Sequence, residues 1–250
     1  MMDSKVLDTS DDGQIVYVSL TPQLLEGALN VLRKGFFPHE TVCTAVDLIN
    51  NPGAVTELVE FCVITAKDGV SVVAVEKPTN KVVGIAFNKL QLKNYSGESS
   101  FFESYAKSCK HSSSRDLIQC MIDLDAECDL FDHCNVDCLL EVMFLGVLPE
   151  FRNKGIGRRL CEVSIKIAES LKKGENVKHA LEDGQELSLE PAPQLVSALF
   201  TAAASQKIGR ALGWEIAARG SYEKFFHEGK SFASVLGKHV PDATLEYVRI

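Results

Sequence analysis

The sequence lacks long apolar runs, and it lacks an excess of basic residues. Its 250 residues include 34 acidic side chains and 26 Lys or Arg, which gives a formal net charge of -8. Nucleic acids and anionic membranes bind basic patches, so this charge is better suited to a cationic ligand. Residues 1–14 lack the apolar core of a signal peptide, and no apolar run approaches the length that spans a bilayer. We therefore expect a cytoplasmic protein that binds neither membranes nor nucleic acid.

Paired cysteine motifs are also missing, although eight cysteines are present. We expect reduced thiols, as is usual in proteins that are not exported. Four cysteines lie near His133, but without the CxxC spacing of structural zinc sites: Cys120, Cys128, Cys134 and Cys138. Cys128 falls on the apolar face of a predicted helix, where a thiol behaves as a small hydrophobe. We therefore expect no metal.

Hydrophobic periodicity predicts a mixed α/β chain. Strands are predicted in "QIVYVSLT", "CLLEVMFLGVLP", "QLVSALF", "WEIAARGSY" and "TLEYVRI", with a hairpin in "VSVVAVEKPTNKVVGIAFNKLQL". Helices are predicted from Pro22 to Lys34 with a stop at Gly35, from near Pro38, over Val55 to Thr65, over Leu117 to Phe131, over Ile156 to Leu171, and in "TAAASQKIGRAL". No linker divides the chain, so we expect one domain over residues 1–250, with insertions near 95–135 and 174–193.

The stretch "LPEFRNKGIGRRLCEV" places a basic glycine loop between a predicted strand and a predicted helix. It does not match GxxxxGK[ST], and Leu160 stands where a dinucleotide fingerprint needs its third glycine. Glycines let backbone N–H groups approach an anion, and a helix N-terminus adds unpaired donors and partial positive charge. The pattern favours a pyrophosphate ligand, although a solvated helix start has the same local features.

The order of residues in this loop resembles the acetyl-CoA loop of the GCN5-related N-acetyltransferases, written Q/R-x-x-G-x-G/A. The resemblance implies their fold, an α/β mixed central sheet with a splayed strand pair and flanking helices. It implies acetyl-CoA as cosubstrate, with the pantetheine arm on the strand before the loop at Leu145, Gly146 and Val147. The pyrophosphate is then expected on Arg152, Asn153, Lys154, Gly155, Ile156, Gly157 and Arg158.

Four other segments resemble the insect arylalkylamine N-acetyltransferases more narrowly. They are "GFFPHETV", "DLFDHCNVDCLLEVMFLGVLPEFRNKGIGRRL", "LFTAAASQKIGRALGW" and "SYEKFFHEGKSFASVLGKHV". That group commonly has Glu-Pro after the paired Phe, whereas this chain has Glu40-Thr41. The resemblance implies an acetyltransferase that acts on a small primary amine.

The same resemblance assigns catalytic residues. Glu40 matches the general base of the insect enzymes. Glu141, on the strand before the loop, is the rival base, at the position where histone acetyltransferases of the same superfamily carry theirs. Ser205 and Thr201 match hydroxyls linked to catalysis, and they share one helix face at a spacing of four. Further candidates are Tyr222 as the acid, Gln206 and Lys207 as phosphate contacts, and His227 and His239 near the amine.

We thus expect direct acetyl transfer to an arylalkylamine such as dopamine, serotonin or tryptamine, by a monomer or weak dimer. Phe36 and Phe37 beside Glu40 are interpreted as an apolar wall for an aromatic amine. A polyamine or agmatine is the second acceptor class. A protein acetyltransferase and an inactive acyl-CoA-binding module remain as alternatives.

Overall fold

A mixed β-sheet forms the centre of the protein. The computed structural model describes residues 6–97, 99–182, 184–237 and 239–250. The strands are β1 (Val6–Thr9), β2 (Ile15–Ser19), β3 (Val72–Glu76), β4 (Lys81–Leu92), β5 (Cys138–Val147), β6 (Leu195–Phe200), β7 (Glu215–Gly220), β8 (Phe226–His227), β9 (Lys230–Ser231) and β10 (Ala243–Arg249). Within the described residues, eight strands form one sheet in the order β1-β2-β3-β4-β5-β6-β10-β7, while β8 and β9 form a separate hairpin.

Helices cover both faces of the sheet. They are α1 (Pro22–Val31), α2 (Thr41–Ala45), α3 (Pro52–Ala66), α4 (Phe101–Ser108), α5 (Ser112–Asp125), α6 (Leu130–Cys134), α7 (Ile156–Lys172), α8 (Ala203–Ala211) and α9 (Phe232–Leu236). On β4, Gly84 faces Ile156 of α7. The next residue, Ile85, points to the opposite face, where it lies near Val31 of α1. The predicted α/β fold with flanking helices is therefore confirmed.

The strands β5 and β6 separate after a short parallel contact. Their register contains two pairs, Leu140 with Val196 and Glu141 with Ser197. Beyond these pairs β5 stays with β4 and β6 stays with β10. A bulge at Met143 bends β5 at the same point, because Phe87 pairs with Phe144 while Asn88 pairs with Val142. The predicted splayed strand pair is present.

The first predicted helix does not stop at Gly35. It continues past α1 as a π-helical turn over Leu32–Phe36. A Cβ on Gly35 would lie 2.6 Å from the carbonyl oxygen of Val147, so the glycine allows close contact with β5 instead of ending the helix. The prediction of a helical stop here was wrong, because a glycine can either end a helix or allow close packing against a neighbouring strand.

Two other helix predictions also need correction. The helix expected from Pro38 is the short α2, which begins at Thr41 after Glu40 as its N-cap. The helix expected from Leu117 to Phe131 ends at Asp125, and α6 begins after a turn. Asp129 accepts hydrogen bonds from two backbone N–H groups of α6, so it starts a new helix, and Cys128 lies in the turn.

The two expected insertions differ in structure. Residues 95–135 contain α4, α5 and α6, whereas the described part of residues 174–193 contains no helix or strand. The single domain with these insertions stays a prediction. None of the helices in the described ranges is long and apolar enough to cross a membrane.

Candidate functional site

A cleft of about 470 Å³ opens where β5 and β6 separate. It is lined by the glycine loop with the first turn of α7, by the turn before α2, by α5, by the second half of β5 and by the first two turns of α8. The cleft therefore brings together segments that are far apart in sequence.

The glycine loop has the geometry of an anion cradle. Gly155 precedes α7 with φ +75°, a backbone conformation that favours glycine. A Cβ on Gly157 would lie 3.3 Å from Ile208 of α8, so a larger residue would extend into the cleft. The first-turn N–H groups of α7 have no acceptor within the helix and are available to an anion. The loop therefore fits a pyrophosphate.

The charged residues of the loop have different surroundings. Arg152 Nη2 donates to Gly35 O at 2.7 Å, and Arg158 Nε donates to Glu162 at 2.9 Å. Both side chains line the cleft with Asn153, Gly155, Ile156 and Gly157. Lys154 is not among the lining residues, and its ammonium lies 4.8 Å from the centre of the Phe151 ring.

The predicted pantetheine strand has a free edge towards the cleft. Beyond Glu141, β5 has no strand partner on the side away from β4 among the described residues. Alternate residues of such an edge leave their N–H and C=O groups available to a ligand. Leu145 and Val147 line the cleft, whereas Gly146 faces α1, where a Cβ would meet Phe36 and Val31 at 3.5 Å.

Glu40 lines the cleft and is the N-cap of α2. Its Oε1 accepts from Val42 N at 2.9 Å and from Thr201 Oγ1 at 2.6 Å. Its Oε2 accepts from Cys43 N at 2.6 Å. Burial raises the pKa of the Cys43 thiol, and the nearby Glu40 carboxylate raises it further. Three hydrogen bonds therefore fix the position of the Glu40 carboxylate.

The three hydroxyl candidates have different hydrogen-bond partners. Thr201 donates to Glu40 itself. Ser205 lines the cleft, and its Oγ donates to Ala202 O at 2.9 Å in the first turn of α8. Tyr222 is buried outside the lining and donates to Thr201 O at 2.7 Å. Burial, with Glu40 as the next cause, raises the pKa of the Tyr222 hydroxyl above its ordinary range.

Glu141 is buried and does not line the cleft. Its Oε2 accepts from Gln91 Nε2 at 2.9 Å, while Oε1 has no hydrogen-bond partner among the described residues. Burial raises the pKa of Glu141 to about 7. Asp125, at the end of α5, also has a raised pKa, because of burial and then because of the charge of Glu141.

Several secondary candidates lie away from the cleft. Gln206 is buried and donates to the carbonyls of Phe200 and Asp242, so its contacts are structural. Lys207 is exposed and does not line the cleft. His227 is buried, and its Nδ1 lies 2.7 Å from Asp116 Oδ2. His239 is exposed, and neither histidine lines the cleft.

The aromatic wall differs from its prediction. Phe36 lines the cleft and packs edge-on against Phe144, with ring centres 5.7 Å apart. Phe37 is buried in the core and does not line the cleft. The prediction of two wall residues was therefore wrong for Phe37, because neighbours in a helical turn point in different directions.

Sequence reasoning missed some residues of the cleft. Leu117 and Met121 fall within a predicted helix, but only the fold shows that they reach the cleft. His39 also lines the cleft and is exposed, and its position beside Glu40 was the available signal. In the described ranges, no group of three or more His, Cys, Asp or Glu is arranged to hold a metal ion.

No family sequence model and no curated protein sequence matches the chain. Solved structures do. Arylalkylamine N-acetyltransferase 2 from Aedes aegypti is 20% identical with a TM-score of 0.74, over 94% of this chain and 99% of that one. Putative arylalkylamine N-acetyltransferase 7 from the yellow fever mosquito is 15% identical with a TM-score of 0.75, over 99% of this chain and 96% of that one.

A third similar structure is the polyamine N-acetyltransferase of Drosophila melanogaster, described as forming N-acetylagmatine. It is 17% identical with a TM-score of 0.72, over 94% of this chain and 100% of that one. These similarities extend over nearly the whole of each chain. The protein therefore has the fold of the GCN5-related N-acetyltransferases.

Proposed function

We propose that the protein transfers the acetyl group of acetyl-CoA to a small primary amine. The observation that carries this proposal is the single cleft that joins an anion cradle to a carboxylate. The glycine loop, the free edge of β5, Glu40 and the hydroxyl residues Thr201 and Ser205 all line this cleft, and Thr201 donates to Glu40.

The residues of the cleft suit the cosubstrate. The backbone N–H groups of Gly155 to Arg158 would hold the pyrophosphate, with Arg152 and Arg158 adding positive charge. The free backbone groups of β5 around Leu145 would pair with the pantetheine arm and donate to the thioester carbonyl. Such a donor stabilises the negative charge that develops on that oxygen during acyl transfer.

Glu40 is the better candidate for the group that deprotonates the amine. An ammonium has no lone pair, so it must lose a proton before it attacks the thioester. Two donors bind Oε1 and one backbone N–H binds Oε2 of the Glu40 carboxylate, and this residue lines the cleft that a substrate would enter. Glu141 is buried outside the cleft lining, which supports Glu40 as the base.

Ser205 is the candidate that would protonate the departing thiolate. Its hydroxyl lies in the first turn of α8, and the residue lines the same cleft as Glu40 and the glycine loop. Thr201 acts through its hydrogen bond to Glu40, so we propose that it positions the carboxylate.

The walls of the cleft support an arylalkylamine as the acceptor. Phe36, Phe144, Leu117 and Met121 provide apolar surface in the same cleft as Glu40. Among the described lining residues, Glu40 is the one carboxylate, so the distal cation of a polyamine would find no second anion. A polyamine or agmatine is the second candidate, because a similar structure is named for that activity.

An assay of thiol release with a panel of amines tests this function. We expect turnover with tryptamine or dopamine, and a kcat/KM at least about tenfold above that for agmatine, putrescine or spermidine, equivalent to about 1.4 kcal/mol. A preference for the second group would change the acceptor class. Acetyl-CoA binding in calorimetry without turnover of any amine or peptide would indicate a binding module and contradict the proposal.

A further inference from the structure

The carboxylate of Glu57 holds the start of α5. Glu57 belongs to α3, and its side chain is only 14% exposed. Its Oε1 accepts from Lys110 N at 2.9 Å and lies 3.0 Å from Nδ1 of His111. Its Oε2 accepts from the Ser114 hydroxyl and, at 3.4 Å, from His111 N. One side chain of α3 thus binds both the connection before α5 and the first turn of α5.

Further contacts fix α3 to this connection. A Cβ on Gly53 would lie 2.2 Å from Nε2 of His111, so the glycine leaves space for the imidazole against α3. The Tyr105 hydroxyl of α4 donates to the backbone carbonyl of Glu57 at 2.5 Å. Burial by itself would raise the pKa of Glu57, but the hydrogen bonds that it accepts, that from Ser114 first, lower it overall. These bonds therefore favour the ionised carboxylate.

Beyond this anchor, α5 forms a wall of the cleft. Leu117 and Met121 follow Ser114 after about one and two turns of the helix, and both line the cleft. The helix also packs against α2, which Glu40 caps. Burial raises the pKa of the Cys120 thiol, and the nearby Glu40 carboxylate raises it further. The wall on α5 therefore lies close to the carboxylate that we propose as the base.

We propose that Glu57 is a positioning residue of the acceptor site: it holds α5 so that Leu117 and Met121 pack against the aromatic group of the amine. This inference rests on the proposed acetyl transfer. Glu57 does not line the cleft itself, so it acts through α5. A gap of about 1 Å at an apolar contact already loses much of its attraction, so a small displacement of α5 would matter. A short aliphatic amine has no ring to place there, and its transfer should be largely independent of Glu57.

The test compares Glu57→Ala with the control Glu60→Ala, which changes an exposed glutamate of the same helix. Both variants are assayed with tryptamine and with ethylamine, below the temperature at which thermal unfolding begins. Glu57→Ala should lose about tenfold in kcat/KM for tryptamine, mainly through a higher KM, and less than about twofold for ethylamine. Glu57→Gln keeps the shape of the side chain and should recover part of the loss. Glu60→Ala should match the wild type with both amines.

A second variant addresses the wall directly. Met121→Ala removes part of the apolar surface and should show the same selective loss with tryptamine. Adding Glu57→Ala to it should cost little more, because both changes act on one contact. If Glu57→Ala does not fold, Ser114→Ala removes one of the bonds to the carboxylate and should show a smaller loss with the same selectivity. Acetyl-CoA affinity measured by calorimetry should be the same in all folded variants.

Three results would overturn the positioning role and leave acetyl transfer intact. They are an equal loss for tryptamine and ethylamine in Glu57→Ala, additive losses in the double variant with Met121→Ala, and a wild type that does not prefer tryptamine to ethylamine. A wild type that turns over no amine at all contradicts acetyl transfer itself, and the role of Glu57 falls with it.

Discussion

At the scale of single residues, Glu40 combines two properties that usually belong to separate residues. Its carboxylate caps α2 through two backbone N–H groups, and it faces the cleft. The cap fixes its position, and the bond from Thr201 ties it to the connection between β6 and α8. One carboxylate can therefore cap a helix and also be available to a ligand in the cleft.

Replacing Glu40 with Gln should lower kcat/KM for the amine by roughly 100-fold or more. Part of this loss should return at high pH, where free amine is abundant. The affinity for acetyl-CoA should stay unchanged, and the weaker cap should cost on the order of 1 kcal/mol of stability. Steady-state kinetics, calorimetry and thermal unfolding check these three expectations.

Glu141→Gln is the matched control for that variant. This variant also removes one carboxylate, but the Glu141 side chain is buried and does not line the cleft. We expect it to retain most of the amine kcat/KM. An active Glu40→Gln together with an inactive Glu141→Gln would reverse the assignment of the base.

At the scale of elements, the loop before α7 depends on two glycines for different reasons. Gly155 needs its positive φ, and a Cβ there would meet nothing within 4 Å. Gly157 has an ordinary φ but faces Ile208 across the cleft. The first glycine therefore sets the path of the loop, and the second keeps space for the ligand.

Gly157→Leu should weaken acetyl-CoA binding at least about tenfold, which is about 1.4 kcal/mol, because its side chain would enter the cradle. Gly155→Ala should lose stability through backbone strain of roughly 1 to 2 kcal/mol. Gly174→Ala is the matched control for that strain, since Gly174 has φ +87° at the other end of α7 and open space around it. Calorimetry that shows wild-type affinity in Gly157→Leu would contradict the assignment of the cradle.

At the scale of the whole molecule, a buried carboxyl group links stability to pH. Glu141 lies at the last pair between β5 and β6, and burial raises its pKa from 4.5 to about 7. The folded state therefore keeps this proton at pH values where the unfolded chain has lost it. By linkage, the contribution of Glu141 to stability falls as pH rises from about 4.5 to about 7, and it is constant above that range.

Glu141→Gln should remove this pH dependence, because an amide does not ionise. The variant should gain stability relative to the wild type as pH rises from about 5 to about 8, by an amount on the order of 3 kcal/mol at most. Urea unfolding of both proteins across that pH range measures the difference. A difference in unfolding free energy that stays constant with pH would contradict the role assigned to Glu141.

The sequence by itself predicted most strands, the α7 helix and the glycine loop. These features depend on short-range rules, since alternation, helical spacing and glycine positions are local properties of the chain. The loop could be recognised because strand, loop and helix N-terminus are contiguous over Cys138–Lys172. The expectation that this strand splays from its neighbour came from resemblance and was confirmed by the register of β5 and β6.

Tertiary structure alone decided which residues meet in the cleft. Glu40 and Thr201 are 161 positions apart and form a hydrogen bond at 2.6 Å. Leu117 and Met121 reach the cleft because α5 packs there, and Phe37 does not because its turn directs it into the core. Such contacts depend on how distant elements pack together, and burial, rather than local propensity, selects the direction in which each side chain points.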